Sequence, residues 1–114
     1  MGLQKDGTYI LDKSEQNLDC DRLYKSIWGH VQIMKGLPEK ARKEREKAAQ
    51  TAASALKRWF GAPGAGVSHV EEYDRERAHV EALRRVMGEK QCIPIDLERE
   101  LFQTEMAMAE FRGR

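Results

Sequence analysis

From Cys20 to Met34 the apolar residues recur at steps of three and four: Cys20, Leu23, Tyr24, Ile27, Trp28, Val31 and Met34. That is the period of a single helical face, so the pattern predicts a helix from about Glu15 to Lys35. Ser14 or Asp19 would cap it, and Gly36 would end it. Pro38 suits a first helical position and Gly61 the left-handed residue just past a helix end. Between these two lie mostly Ala, Lys, Arg, Glu and Gln, the strongest helix formers. Residues 38–60 therefore read as a second helix, roughly 34 Å long at 1.5 Å per residue. So short a connection predicts that the two pack as an αα-hairpin. The packing stripe of the second helix is thin, running through Ala41, Arg45, Ala48, Ala52, Ala55 or Leu56, and Trp59. Its first half, Glu39 to Lys47, is charged nearly all round and is expected to stand in solvent.

Residues 61–67, GAPGAGV, deny both helix and strand and mark a loop. Ser68 and Glu71 then spell a capping box for a third helix reaching about Met87, with Gly88 as its stop. Val70, Tyr73, Val80, Leu83 and Met87 share one face of it, interrupted by Arg77. Gln91 to Ile95 is an extended crossing, and Asp96 caps a last helix over residues 97–112. There the stripe Leu101, Met108 and Phe111 is widened by Phe102, Met106 and Ala109, a width that implies burial on two sides. At the other end, residues 1–13 form an arm. Asp6-Gly7 followed by Thr8 to Leu11 permits a small hairpin, but the favoured expectation is an extended arm laying Tyr9 and Leu11 on the bundle. The fold class is all-α: one domain over residues 1–114, a compact bundle of about four helices, an αα-hairpin plus two more, with a short N-terminal arm.

Composition changes this picture little. At 114 residues the chain suits one domain, and its 34% charged and 40% hydrophobic residues with a net charge of +1 point neither to nucleic acid nor to a membrane. No apolar run has transmembrane length and the N-terminus lacks a signal-peptide pattern, so a cytoplasmic location is the default. Cys20 and Cys92 form no metal or redox motif, and the default is a pair of reduced thiols, with a disulfide between them left open.

The residues bear on four kinds of chemistry. Glu76 and His79 have the Glu-x-x-His spacing of di-iron bundles, with His69 and Glu72 on nearly the same face. However, the only other histidine, His30, has no Glu three positions before it, so a solvated polar face is expected, with no metal and no cofactor. Residues 38–60 carry seven basic and three acidic residues, hence +4 (7 − 3). Lys40, Arg42, Lys43 and Lys47 could thus lie along phosphates, although Glu39, Glu44 and Glu46 are interleaved with them. Trp59 and Phe60 diverge by about 100 degrees on a helix, so one ring can be presented to a partner with Arg58 beside it. For an enzyme nothing is in place: GAPGAG lacks the Lys-Ser/Thr ending of a P-loop and follows a helix where such a loop follows a strand. The expectation is a non-catalytic helical protein-binding module docking through Arg58, Trp59 and Phe60. It would serve as an adaptor, a small inhibitor or regulator of the phage or plasmid accessory type, or a self-associating subunit. Nucleic-acid binding through the basic half of helix 38–60 is the alternative.

Overall fold

The computed structural model describes residues 2–49 and 67–112. Within them the chain is an all-α bundle preceded by a short arm. The arm is a two-stranded antiparallel hairpin, β1 (Gly2–Leu3) and β2 (Tyr9–Ile10), with Gly2 opposite Ile10 and Leu3 opposite Tyr9. Its turn is held by the Asp6 carboxylate, which accepts from the Thr8 N–H at 3.0 Å and the Thr8 hydroxyl at 2.7 Å, while Gly7 takes the left-handed φ of 89°. The hairpin and the packed arm turn out to be compatible: Leu11 is buried in the core and Tyr9 packs against it.

A single-turn helix follows, α1 (Lys13–Gln16), closed by a capping box in which the Glu15 N–H donates to Asp12 at 2.8 Å. Asp12, not Ser14, is thus the cap, and the Ser14 hydroxyl merely supports its carboxylate at 2.7 Å. Asp19 does cap the next helix, accepting from the Arg22 N–H at 2.9 Å.

That helix, α2, runs without a break from Cys20 to Ala49. The hairpin turn expected at Gly36 to Pro38 does not form, and Pro38 sits inside the helix. An internal proline removes one backbone hydrogen bond and crowds the carbonyl four residues back, at about 3 kcal/mol. Against this, Leu23, Ile27, Val31, Met34, Leu37 and Ala41 are all fully buried in one unbroken stripe. Burying a side chain the size of Met34 or Leu37 contributes about 1.5–3 kcal/mol. Stopping at Gly36 would turn Leu37 and Ala41 off the core, so packing outweighs the local stop. Tyr24 and Trp28, expected among the residues of this face, stand on its flank, with Tyr24 46% exposed.

After residues 50–66 comes α3 (Val67–Glu89), in which Ser68 already lies inside the helix. Its buried residues Tyr73, Val80, Leu83 and Met87 match the expected stripe. The stop is not Gly88 but a cap with Gln91 in the left-handed region at φ 59°. The Cys92 N–H returns to the Met87 carbonyl at 2.9 Å and the Gln91 N–H to that of Gly88 at 3.1 Å, the paired bonds of a Schellman motif. This cap delivers Cys92 to Cys20, and the two form a disulfide that ties the start of α2 to the end of α3. The expectation of two reduced thiols is therefore corrected.

The last helix, α4 (Leu97–Ala109), is capped by Asp96, which accepts from the Arg99 N–H at 3.1 Å. Leu97, Leu101, Thr104 and Met108 face the core. Phe102 and Met106 do not: they are 62% and 63% exposed, so α4 is buried on one side and not on two. No helix among the described residues is long and apolar enough to cross a membrane.

Two stability outcomes follow. A side chain held at positive φ costs about 1–2 kcal/mol, so Gln91→Gly should raise the unfolding free energy by roughly 1 kcal/mol, read from the urea midpoint. Reduction of the Cys20–Cys92 bond, which closes a separation of 72 residues, should lower it by about 2–5 kcal/mol in paired melts with and without reductant.

Candidate functional site

The densest polar chemistry lies where the arm meets α2 and α3. His30 borders the buried stripe of α2, one position before Val31. On α3, Glu76 and His79 stand one turn apart beside Val80. Packing of the two helices brings His30 Nδ1 to 2.5 Å from Glu76 Oε2. One potential ligand atom from each of His30, Glu76 and His79 then lies within 4.8 Å of the others. The imidazole rings of His30 and His79 are 4.3 Å apart, tilted by 52°.

The arm completes the cluster. Glu15 uses one oxygen, Oε1, for the capping box, accepting from the Asp12 N–H at 3.4 Å, and the other, Oε2, for His79 Nε2 at 2.5 Å. The local rule that starts α1 therefore also aims a carboxylate at α3. Tyr9 stacks flat on the His79 ring, with centroids 4.0 Å apart and planes within 10° of each other. Burial, followed by the charges of Glu15 and Glu76, raises the Tyr9 phenol above its ordinary range. The four polar side chains are between 13% and 23% exposed, so the cluster is partly desolvated but reachable.

The Glu-x-x-His spacing on α3 is visible in the sequence, but no such spacing around His30 marks it as a third ligand. The structure supplies it differently, across the helix pair: His30 meets Glu76 directly. The one signal for this in the sequence is that His30 falls three residues after Ile27 and four before Met34, on the edge of the packing face. Glu15 carried no such signal. His69 belongs elsewhere, pairing with Glu44 on α2 at 2.8 Å and approaching Glu72 at 3.7 Å.

A second polar group joins α3 to α4 on another side. Arg84 grips Glu98 through both terminal nitrogens at 2.9 and 3.0 Å and also holds Glu81 at 2.7 Å. Arg77, the interruption in the α3 stripe, reaches Glu81 at 3.2 Å and Glu105 at 3.3 Å. Arg112 forks onto Asp74 at 2.9 and 3.0 Å. Every cation here faces a carboxylate, which marks the group as a clasp between helices. Burial, with Glu105 next in effect, pushes the neighbouring Tyr73 phenol well above its usual range.

The expected docking residues Arg58, Trp59 and Phe60 lie outside the described residues. Lys40, Arg42, Lys43 and Lys47 are all exposed on the far end of α2. Arg42 pairs with Glu39, and approaches Glu46 at 4.0 Å, while Lys43 approaches Glu39 at 4.0 Å. Arg45, between them, turns back to lie over the Phe111 ring at 4.1 Å and donates to the Glu110 carbonyl at 3.1 Å. The charged end of α2 is thus solvated on one side and holds the end of the chain on the other.

Among the described residues, α4 also exposes an apolar strip. Phe102, Met106 and Ala109 fall at i, i+4 and i+7 on one exposed strip of α4, bordering an open depression lined by Lys35, Arg99 and Gln103 among others. Compared with known proteins, the chain matches no protein-family model, no curated protein and no solved structure.

The clasp has a measurable acid limit. Hydrogen bonds from Arg84 hold the Glu98 carboxyl down at about 2, against an ordinary 4.5. Because the folded value is the lower one, the stabilisation is complete above the unfolded value and fades as the pH falls from there through about 2. Carboxyl-carbon NMR should therefore find the Glu98 midpoint near 2 in the native chain and raised toward the ordinary 4.5 in Arg84→Gln, where the Glu98 backbone N–H and Arg77 still lower it.

Proposed function

We propose that the chain is a non-catalytic helical protein-binding module, an adaptor, small inhibitor or regulator, or self-associating subunit. The observation that supports this reading is the strip of α4. A helix whose inner face is already sealed in the core presents Phe102 and Met106 to solvent one turn apart. Aromatic and Met side chains are enriched at the centres of protein interfaces, and a flexible thioether beside a rigid ring adapts to a partner's contour. The strip stands on a helix clasped to α3 by Arg84 and Arg77, so little ordering is required on docking. The partner is another protein or a second copy of this chain, with Arg58, Trp59 and Phe60 as a further docking element of the same proposal.

Nucleic-acid binding through Lys40, Arg42, Lys43 and Lys47 is less well supported, because Arg42 and Lys43 lean on carboxylates of their own helix. The reading includes no enzymatic role. It also keeps a cytoplasmic location only on the condition that Cys20 and Cys92 are there a dithiol, since the bond itself suits an oxidising compartment.

The double variant Phe102→Ser, Met106→Ser tests the proposal. Both positions are exposed, so folding stability should move by no more than about 0.5 kcal/mol each. Concentration-dependent light scattering and capture by tagged chain should both weaken at least tenfold. Association and capture equal to those of the native chain would remove α4 as the docking surface.

A further inference from the structure

Beyond a docking role, the geometry points to a divalent transition-metal site of the zinc class: we propose that His30, Glu76 and His79 are its ligands, with Glu15 of the arm orienting His79. Two imidazoles and a carboxylate are the donor set of open zinc sites, and imidazole selects first-row transition metals over calcium and magnesium. The donors come from two helices that the core packing holds in register. With bonds near 2.1 Å, tetrahedral ligands stand about 3.4 Å apart, so atoms now within 4.8 Å need move only by about an ångström.

Charge adds an independent argument. With both imidazoles neutral, Glu15 and Glu76 leave two negative charges in a group only 13–23% exposed. One divalent cation cancels both. Proton placement is equally suited. A carboxylate only accepts, so His79 donates its Nε2–H to Glu15 and keeps Nδ1 as a lone-pair nitrogen. That carboxylate–histidine arrangement is the usual support behind a metal-bound imidazole. When the cation takes His30 Nδ1, the ring's N–H proton moves through solvent to Nε2, so the imidazole stays neutral and Glu76 is freed to bind as a carboxylate. Binding would then tie the arm, through Glu15 and the stacked Tyr9, to both long helices.

The test is calorimetric titration of the chelator-treated chain with Zn²⁺ alone, repeated in two buffers of different protonation heat, and Co²⁺ absorption spectroscopy on the same material. At a pH above the imidazole range one equivalent should bind with micromolar or tighter affinity and release no net proton, and Co²⁺ should give the visible bands of a four- or five-coordinate nitrogen-and-oxygen site. His30→Ala and His79→Ala should each weaken binding at least 100-fold, and Glu15→Gln about tenfold or more. His69→Ala should leave it unchanged. Glu76→Gln, which keeps shape and removes charge, guards against loss through misfolding, with circular dichroism recorded for every variant. The proposal is overturned if the native chain shows no saturable single site, if binding survives in both His30→Ala and His79→Ala, or if His69→Ala is the variant that abolishes it. Affinity unaltered in Glu15→Gln overturns the part assigned to the arm.

Discussion

The unbroken burial of one face of α2 is the constraint on which the rest of the structure depends. Leu23, Ile27, Val31, Met34, Leu37 and Ala41 repeat at steps of 4, 4, 3, 3 and 4, a spacing that averages 3.6 and keeps every one of them on the same side. The stripe crosses Pro38, and the sum of two or three buried side chains exceeds the cost of one proline. Had the proline won, the second half of the chain would have folded back at Gly36. Arg45 would then not reach Glu110, and Glu44 would not reach His69. The long helix is thus the ruler against which α3 and α4 are placed.

How much of this was legible depends on whether the cause is local. The helical period on each of the three long helices, the caps Asp19 and Asp96, and the Tyr73 to Met87 stripe are set by neighbours within a turn, and the sequence carries them. Gly36-Leu37-Pro38 is also a local signal, but its reading was reversed by burial of Leu37 and Ala41 against residues far along the chain. The Cys20–Cys92 bond depends on the register between α2 and α3 and on Gln91 accepting a glycine-like conformation, neither of which any spacing encodes. On α4, a wide apolar face was read as two buried sides. No described element covers Phe102 and Met106, so the width became an exposed strip.

The histidine cluster shows the same division. Glu76 and His79 were visible as a pair because one helix turn separates them. His30 has no such pair on its own helix, because its partner Glu76 lies 46 residues away. Glu15 was invisible for a different reason: its capping role is local, but a carboxylate has two oxygens, and the second is free to reach across to His79. A residue that satisfies a local rule with half of its polar atoms is a natural place for a long-range contact, and such contacts are missed when the cap is taken as the whole explanation.

These contacts make the two ends of α2 unlike each other. Its first half is held by the disulfide, by Asp19, by His30 on Glu76, and by an arm that is itself fixed through Leu11, through Glu15, and through the Lys90 ammonium on the Leu18 carbonyl at 2.6 Å. Its last turns, residues 42–47, are exposed, and Arg42 and Lys43 there lean on carboxylates of the same helix. Polar groups convert into function where neighbours hold them in place and water is partly excluded, because there their charges act at lower dielectric and their geometry needs no reordering. By that criterion chemistry belongs at the clamped end of α2. The surface of α4, clasped at Glu98 and Glu105 yet apolar on its outer strip, is a separate region, so the docking proposed for it would not compete with that chemistry.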